Sequence, residues 1–235
     1  MSTATKPLRL SPSKLNLFRE CPRCFWLDKV RRIERPRGIY PSLPNGMDRV
    51  IKTYFDGLRS ARALPKELEG NLPKGVTLYP DQEQLDRWRN WRTGLEYQDQ
   101  DGSMLFGAVD DVLVAGTRHI PFDYKTKGSV TSEEDAIKYY QNQLDCYALL
   151  LQENGLPVAD YGVLLYYSPK QVNGSGAVAF ENQCLKIPID VERARQVFRD
   201  AVAIVRGPLP PTNDCKFCAW FEELTDGLAS LRRHH

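Results

Sequence analysis

The sequence predicts an α/β fold, a mixed central β-sheet flanked by helices, on three observations. Apolar residues recur at helical spacing along the N-terminal part of the chain. The period then shortens in "SMLFGAVDDVLVAG" and "HIPFDYKTK", which are rich in strand formers. A long helical stretch, "SEEDAIKYYQNQLDCYALLLQEN", separates that pair from two further strand-like runs, and a sheet with helices packed against it accommodates the alternation.

Ser11 followed by Pro12 starts the first helix, in which Leu15, Leu17, Phe18 and Cys21 keep roughly helical spacing. After Gly46, Met47, Val50, Ile51, Tyr54, Phe55 and Leu58 form an amphipathic face, with Asp48 in the first turn. Leu64 to Pro80 reads as a Pro/Gly-rich connection, and "DQEQLDRWRNWRTGLEY" predicts another helix with Leu85, Trp88, Trp91 and Leu95 on one side. The strand pair around "AGTR" predicts a β-hairpin, with Asp110 in its first strand and Asp123 in its second. Ser132 caps the long helix, whose first turn is acidic and on which Gln143 and Tyr147 share one face. "DYGVLLYYS" and "AVAFENQCLKIPI" predict two more strands, followed by a helix from about Asp190 to Val205.

A chain of 235 residues can bury a core without disulfides, so one domain over 1–235 is expected, with 41–100 as a helical insertion or cap. The 32 basic and 30 acidic residues nearly cancel, and any nucleic-acid surface must come from local clustering. The densest run is "KVRRIERPRG", with Lys29, Arg31, Arg32, Arg35 and Arg37, while Lys125, Lys127 and Lys138 surround the acid-rich centre. Alone, such a run reads equally as a solvated segment. The sequence has no apolar stretch of membrane-spanning length and no signal-peptide pattern near Met1, which points to the cytoplasm.

Four of the six cysteines form two Cys-x-x-Cys pairs, Cys21 with Cys24 and Cys215 with Cys218. Each two-residue spacer lets a turn aim both thiolates at one ion or cluster. Joined, the pairs make a clasp of segments 1–40 and 208–235. Phe25, Trp26, Phe217 and Trp220 are placed to shield it, whereas Cys146 and Cys184 read as small buried hydrophobes.

"FGAVDD", "FDYKT" and "QNQLDCYALLL", in that order, resemble the Gly-x-Ile-Asp, Asp-Tyr-Lys-Thr and Gln-x-x-x-Tyr segments of the RecB-like branch of the PD-(D/E)XK nucleases. "LSPSKLNLFRECPRCFWL" resembles that branch's opening helix leading to a cysteine. The resemblance implies a restriction-endonuclease-like core, a metal-dependent deoxyribonuclease activity, DNA as single strands or duplex ends, and a helicase or CRISPR-related partner. It also implies a [4Fe-4S] cluster, although a two-plus-two thiolate set suits structural Zn²⁺ as well and the family's commoner arrangement is one-plus-three. The early-helix histidine of the branch is missing, since the histidines are His119, His234 and His235. Asp48 is the replacement ligand this suggests, its other reading being a first-turn acid favoured by the helix dipole.

Phosphodiester hydrolysis needs a hard cation in an oxygen cage and a water made nucleophilic beside it. Asp110 and Asp123 supply such a cage for Mg²⁺ or Mn²⁺, and the Tyr124 carbonyl adds a further oxygen. Lys125 shares the strand face of Asp123 and can orient the water or stabilise developing phosphate charge, while Tyr124 points its side chain into the packing. Gln143 and Tyr147, one helical turn apart, can position Lys125 or the nucleic-acid backbone. Asp111, next after an inward acid, is expected at the surface or facing substrate. Arg31, Arg32, Arg35, Arg37 and Lys127 are the expected phosphate contacts. Without turnover, the same residues describe a nuclease-derived binding or assembly module, or a zinc-stapled interaction protein.

Overall fold

The structure, a computed structural model, describes residues 7–39 and 41–232, with side chains as far as Gly227. Its strands form two sheets rather than the single expected one. A three-stranded sheet has the order β1-β4-β3, from Arg9–Leu10, Met104–Gly107 and Leu95–Gln98. A five-stranded sheet has the order β2-β5-β6-β7-β8, from Val76–Leu78, Asp111–Ala115, Arg118–Thr126, Tyr161–Val172 and Val178–Pro188. The split lies between Gly107 and Asp111, where the chain leaves one sheet and enters the other. Asp110 is therefore in a connection, not in a strand as expected.

Seven α-helices accompany the sheets among the described residues: α1 (Pro12–Glu20), α2 (Pro22–Trp26), α3 (Ser42–Ser60), α4 (Gln82–Arg89), α5 (Glu133–Glu153), α6 (Val191–Arg206) and α7 (Lys216–Arg232). Strands β6 and β7 run parallel, a pairing that requires a crossover, and α5 is that crossover. The two-residue period of β6 then sorts its side chains. Phe122 and Tyr124 pack with Phe55 of α3, at ring-centroid distances of 5.5 and 5.1 Å. Asp123 and Lys125 face the α5 side, level with Leu164 and Tyr166 of β7, which pack with Ala136 and Leu144.

The predicted hairpin is present as β5 and β6, turning at Gly116, whose φ of 60° a two-residue hairpin loop demands. Helix α3 begins at Ser42, ahead of Gly46, because Pro44 falls in the first turn, where its missing N–H has no helical acceptor anyway. Asp48 consequently lies beyond the first turn, and the helix-dipole reading lapses. Val76–Leu78 forms an edge strand on β5 inside the supposed connection. Segment 41–100 thus supplies a strand to each sheet besides α3 and α4. Helix α4 stops at Arg89, so Leu95 belongs to β3 and Trp91 is left 69% exposed. Beyond it Gly94 meets Gly107 so closely that a Cβ would run into the Gly107 carbonyl, and a Cβ on Gly107 would press on Leu150 and Pro12. These glycines let the small sheet close against α1 and α5.

Asp111 is fully buried, contrary to the expectation for it, because its side of the sheet is covered by α3 and α4. Arg59 Nη2 donates to Asp111 Oδ1 at 2.6 Å and Arg89 Nη2 to Oδ2 at 2.9 Å, and both arginines also pair with Asp56. Removing one arginine leaves the buried carboxylate with half of its cationic support. Arg59→Ala should lower unfolding stability by about 3–5 kcal/mol in urea titrations. Arg87→Ala, which removes an exposed pair with Glu83, should change it by under about 1 kcal/mol.

Candidate active site and metal centre

Strand β5 begins at Asp111, whose ladder partner is Phe122, so β6 runs on from Asp123 to Thr126 with no β5 neighbour. The Tyr124 carbonyl lies on this stretch. Arg89 Nε donates to the Asp110 carbonyl at 2.7 Å, which anchors the connection from which the Asp110 side chain projects. Asp123 is buried, and Lys125 Nζ stands 2.6 Å from its Oδ2. This ion pair is the close contact of the buried Asp123 Oδ2. Burial pushes the Asp123 carboxyl up to about 7, Asp110 adding to the rise and Lys125 opposing it. Lys125 stays above its ordinary value: burial alone would lower it, but the Asp123 charge outweighs burial. Its ammonium also lies 4.9 Å from the centre of the Tyr140 ring.

From α5, Gln143 Nε2 donates to the Tyr147 hydroxyl at 2.7 Å. Burial and then the charges of Asp110 and Asp123 hold the Tyr147 proton on well above the usual range. Tyr147 is therefore a neutral donor near both acids. Lys52, which the sequence reading passed over, bridges Asp48 Oδ2 and Asp110 Oδ1, at 3.0 Å each. The i,i+4 spacing of Asp48 and Lys52 on one helix was the available signal. The structure thus gathers Asp110, Asp123, Lys125, Gln143 and Tyr147, while Asp48 meets Asp110 only through an ammonium. The donors present, two neighbouring carboxylates of which one is buried, suit a hard divalent cation.

The tighter cluster is sulfur. Cys21, Cys24, Cys215 and Cys218 are all buried, with their Sγ atoms within 4.8 Å of one another, a set able to hold a metal ion. The closest separations are 3.6 Å for Cys21 to Cys218 and for Cys24 to Cys218, and 3.7 Å for Cys24 to Cys215. Cys21 does double duty as the N-cap of α2, its sulfur accepting from the Cys24 N–H. Burial pushes the Cys215 thiol up, but backbone N–H groups of Cys218 and Phe217 and the neighbouring thiols outweigh it and bring it down to about 7. Trp26 Nε1 donates to the Gly207 carbonyl at 3.0 Å and Arg23 to the Pro210 carbonyl at 3.1 Å, fastening the segment before α7. Phe25 is buried here, whereas Phe217 and Trp220, expected as shields, remain exposed.

Arg35 belongs to this clasp and not to an open phosphate surface. Its Nη2 donates to Cys215 Sγ at 3.1 Å, its Nη1 pairs with Glu20 at 2.7 Å, and its guanidinium covers the Phe217 ring at 4.5 Å. Arg31 and Arg32 are exposed, Arg37 pairs with Glu34 at 3.5 Å, and half-buried Lys127 follows Lys125 just past β6. Nothing in the spacing of "KVRRIERPRG" separates the clasp arginine from the solvated ones. His119 sits on β6 with Nδ1 3.1 Å from the Pro157 carbonyl, and His234 and His235 lie outside the described residues.

A metal at the four sulfurs would tie α1 and α2 to α7, and its loss should be felt by the whole fold. The purified protein should carry bound metal, and Cys218→Ser should lose it by elemental analysis. Its melting temperature should fall by about 5 °C or more, since each kcal/mol is worth roughly 2–4 °C in a chain of this size.

No helix among the described residues is long and apolar enough to cross a membrane. No curated protein matches the chain significantly. The solved crystal structure of SSO0001 is similar over 92% of this chain and 86% of its own, at 16% identity and a TM-score of 0.47. The family model of the PD-(D/E)XK nuclease superfamily matches residues 9–222, which takes in both cysteine pairs and every acid described above. With more than half of its length matched, the chain belongs to the PD-(D/E)XK nuclease superfamily.

Proposed function

We propose that this chain is a Mg²⁺- or Mn²⁺-dependent deoxyribonuclease of the RecB-like kind. The observation that carries the reading is the pair Asp110 and Asp123, one of them buried, with the Lys125 ammonium 2.6 Å from Asp123. Asp110, Asp123 and the Tyr124 carbonyl would hold the cation, and Asp48 joins them where Lys52 releases it. The cation would supply positive charge at the phosphate and acidify a bound water. Lys125 carries a full positive charge into the cleft and stabilises the charge that develops on phosphate oxygens. Tyr147, kept protonated and oriented by Gln143, donates a hydrogen bond to the DNA backbone. Arg31, Arg32, Arg37 and Lys127 serve as outer phosphate contacts, and Arg35 is withdrawn from that role. A helicase or CRISPR-related protein is the partner this reading suggests.

At the cysteines the sulfur separations favour Zn²⁺. Four thiolates at about 2.3 Å from one tetrahedral ion stand about 3.8 Å apart. A [4Fe-4S] cluster seats each cysteine on a separate iron and so holds the sulfurs wider.

Lys52 favours a second reading, a nuclease-derived DNA-binding module, because its ammonium already occupies the space between Asp48 and Asp110 and offsets part of their charge. Cleavage of labelled single-stranded and duplex DNA with Mn²⁺ decides between them. A nuclease loses activity by about 10²-fold or more in Asp123→Ala and Lys125→Ala, in keeping with the loss of a charge-stabilising group. A binding module shows no cleavage in any variant and keeps its affinity for DNA.

Any cation that takes Asp123 must displace the proton held up to about pH 7. Mn²⁺ affinity, measured by calorimetry, should level off above that pH and fall by about tenfold per unit below it. An affinity that is flat from pH 6 to 8 would place the cation away from Asp123.

A further inference from the structure

Two clefts meet along one side of the molecule and share Ser11, Trp91 and Phe106. The inner one, about 260 Å³, is lined by Gln143 and Tyr147. The outer one, about 590 Å³, runs between Arg9, Lys14, Lys29 and Arg92. Arg9 covers the buried Phe106 ring at 4.1 Å and pairs with Glu96, while Lys14 and Lys29 share the buried Asp28. Four cations against two acids leave the groove positive. Trp91 stands in it with 69% of its surface exposed, and Arg92 lies 5.0 Å from its ring centre.

An indole left this open in a cationic groove is poor packing but a good stacking surface. Stacking needs the flat face of a base, and a duplex keeps those faces inside. We propose that the groove is a track for single-stranded DNA, in which an unpaired base stacks on Trp91 while the arginines and lysines follow the phosphates inward toward Tyr147. The assignment deepens the nuclease reading, on which it rests for what the strand meets at the inner end.

Binding of labelled oligothymidylate and of a blunt hairpin duplex, followed by fluorescence anisotropy without added divalent ion, tests it apart from cleavage. Trp91→Ala should weaken oligothymidylate binding by about tenfold, Trp91→Phe by less than about threefold, and neither should alter duplex binding. Melting temperatures should match wild type, because Trp91 supports no packing. Unchanged oligothymidylate affinity in Trp91→Ala overturns the track, as does an equal loss on the duplex or a wild type that does not bind the oligonucleotide. Cleavage by wild type with no Trp91 effect removes the track and spares the nuclease. A Trp91 effect without cleavage does the reverse.

Discussion

Much of the molecule hangs on Asp111, a carboxylate without solvent at the head of β5, neutralised by Arg59 of α3 and Arg89 of α4. A buried charge tolerates no slack in its partners. Both helices are therefore held at fixed distance from the strand, and the same Arg89 grips the Asp110 carbonyl. The acid that nothing reaches from outside thus positions its neighbour, which faces the cleft. Asp56 links the two guanidiniums and makes the assembly a network, so no single pair has to balance its own desolvation.

The cleft itself runs on unresolved charge. Asp123 and Asp110 share one pocket, with Lys125 and Lys52 set against them from opposite elements. Lys125 answers Asp123, while Lys52 divides itself between Asp48 and Asp110. A core built only for stability would have paired these groups cleanly or left them out.

Elements whose signal is local were readable in the sequence. Ser11, Asp81, Ser132 and Asp190 each accept a backbone N–H at the start of a helix, as short polar side chains before an apolar repeat do. The alternation in β6 separated Asp123 and Lys125 from Tyr124. What escaped the reading depends on distant contacts. Alternation assumed that Asp110 lay in the strand with Asp111, whereas Asp110 precedes it and two helices cover the Asp111 side. Gly94, between the end of α4 and β3, owes its identity to a carbonyl on another strand. The break between the sheets is not fixed by "FGAVDDVLVAG" alone, because strand formers flank it on both sides and the partner strands decide where one ladder ends and the next begins. Among the cations, Arg35 and Arg37 look alike in sequence and differ by a sulfur contributed from the far end of the chain.

That sulfur has a consequence for how the molecule is made. Cys21 and Cys218 meet across 197 residues, a loop among the longest the chain can close. Bringing such distant points together has an entropic cost that only the already folded interior can offset. During synthesis the first helices must then wait, with two thiols open to oxidants and stray metal, until the last cysteines leave the ribosome. The clasp closes only after Cys215 and Cys218 have been made, and until then the first pair is without its partners.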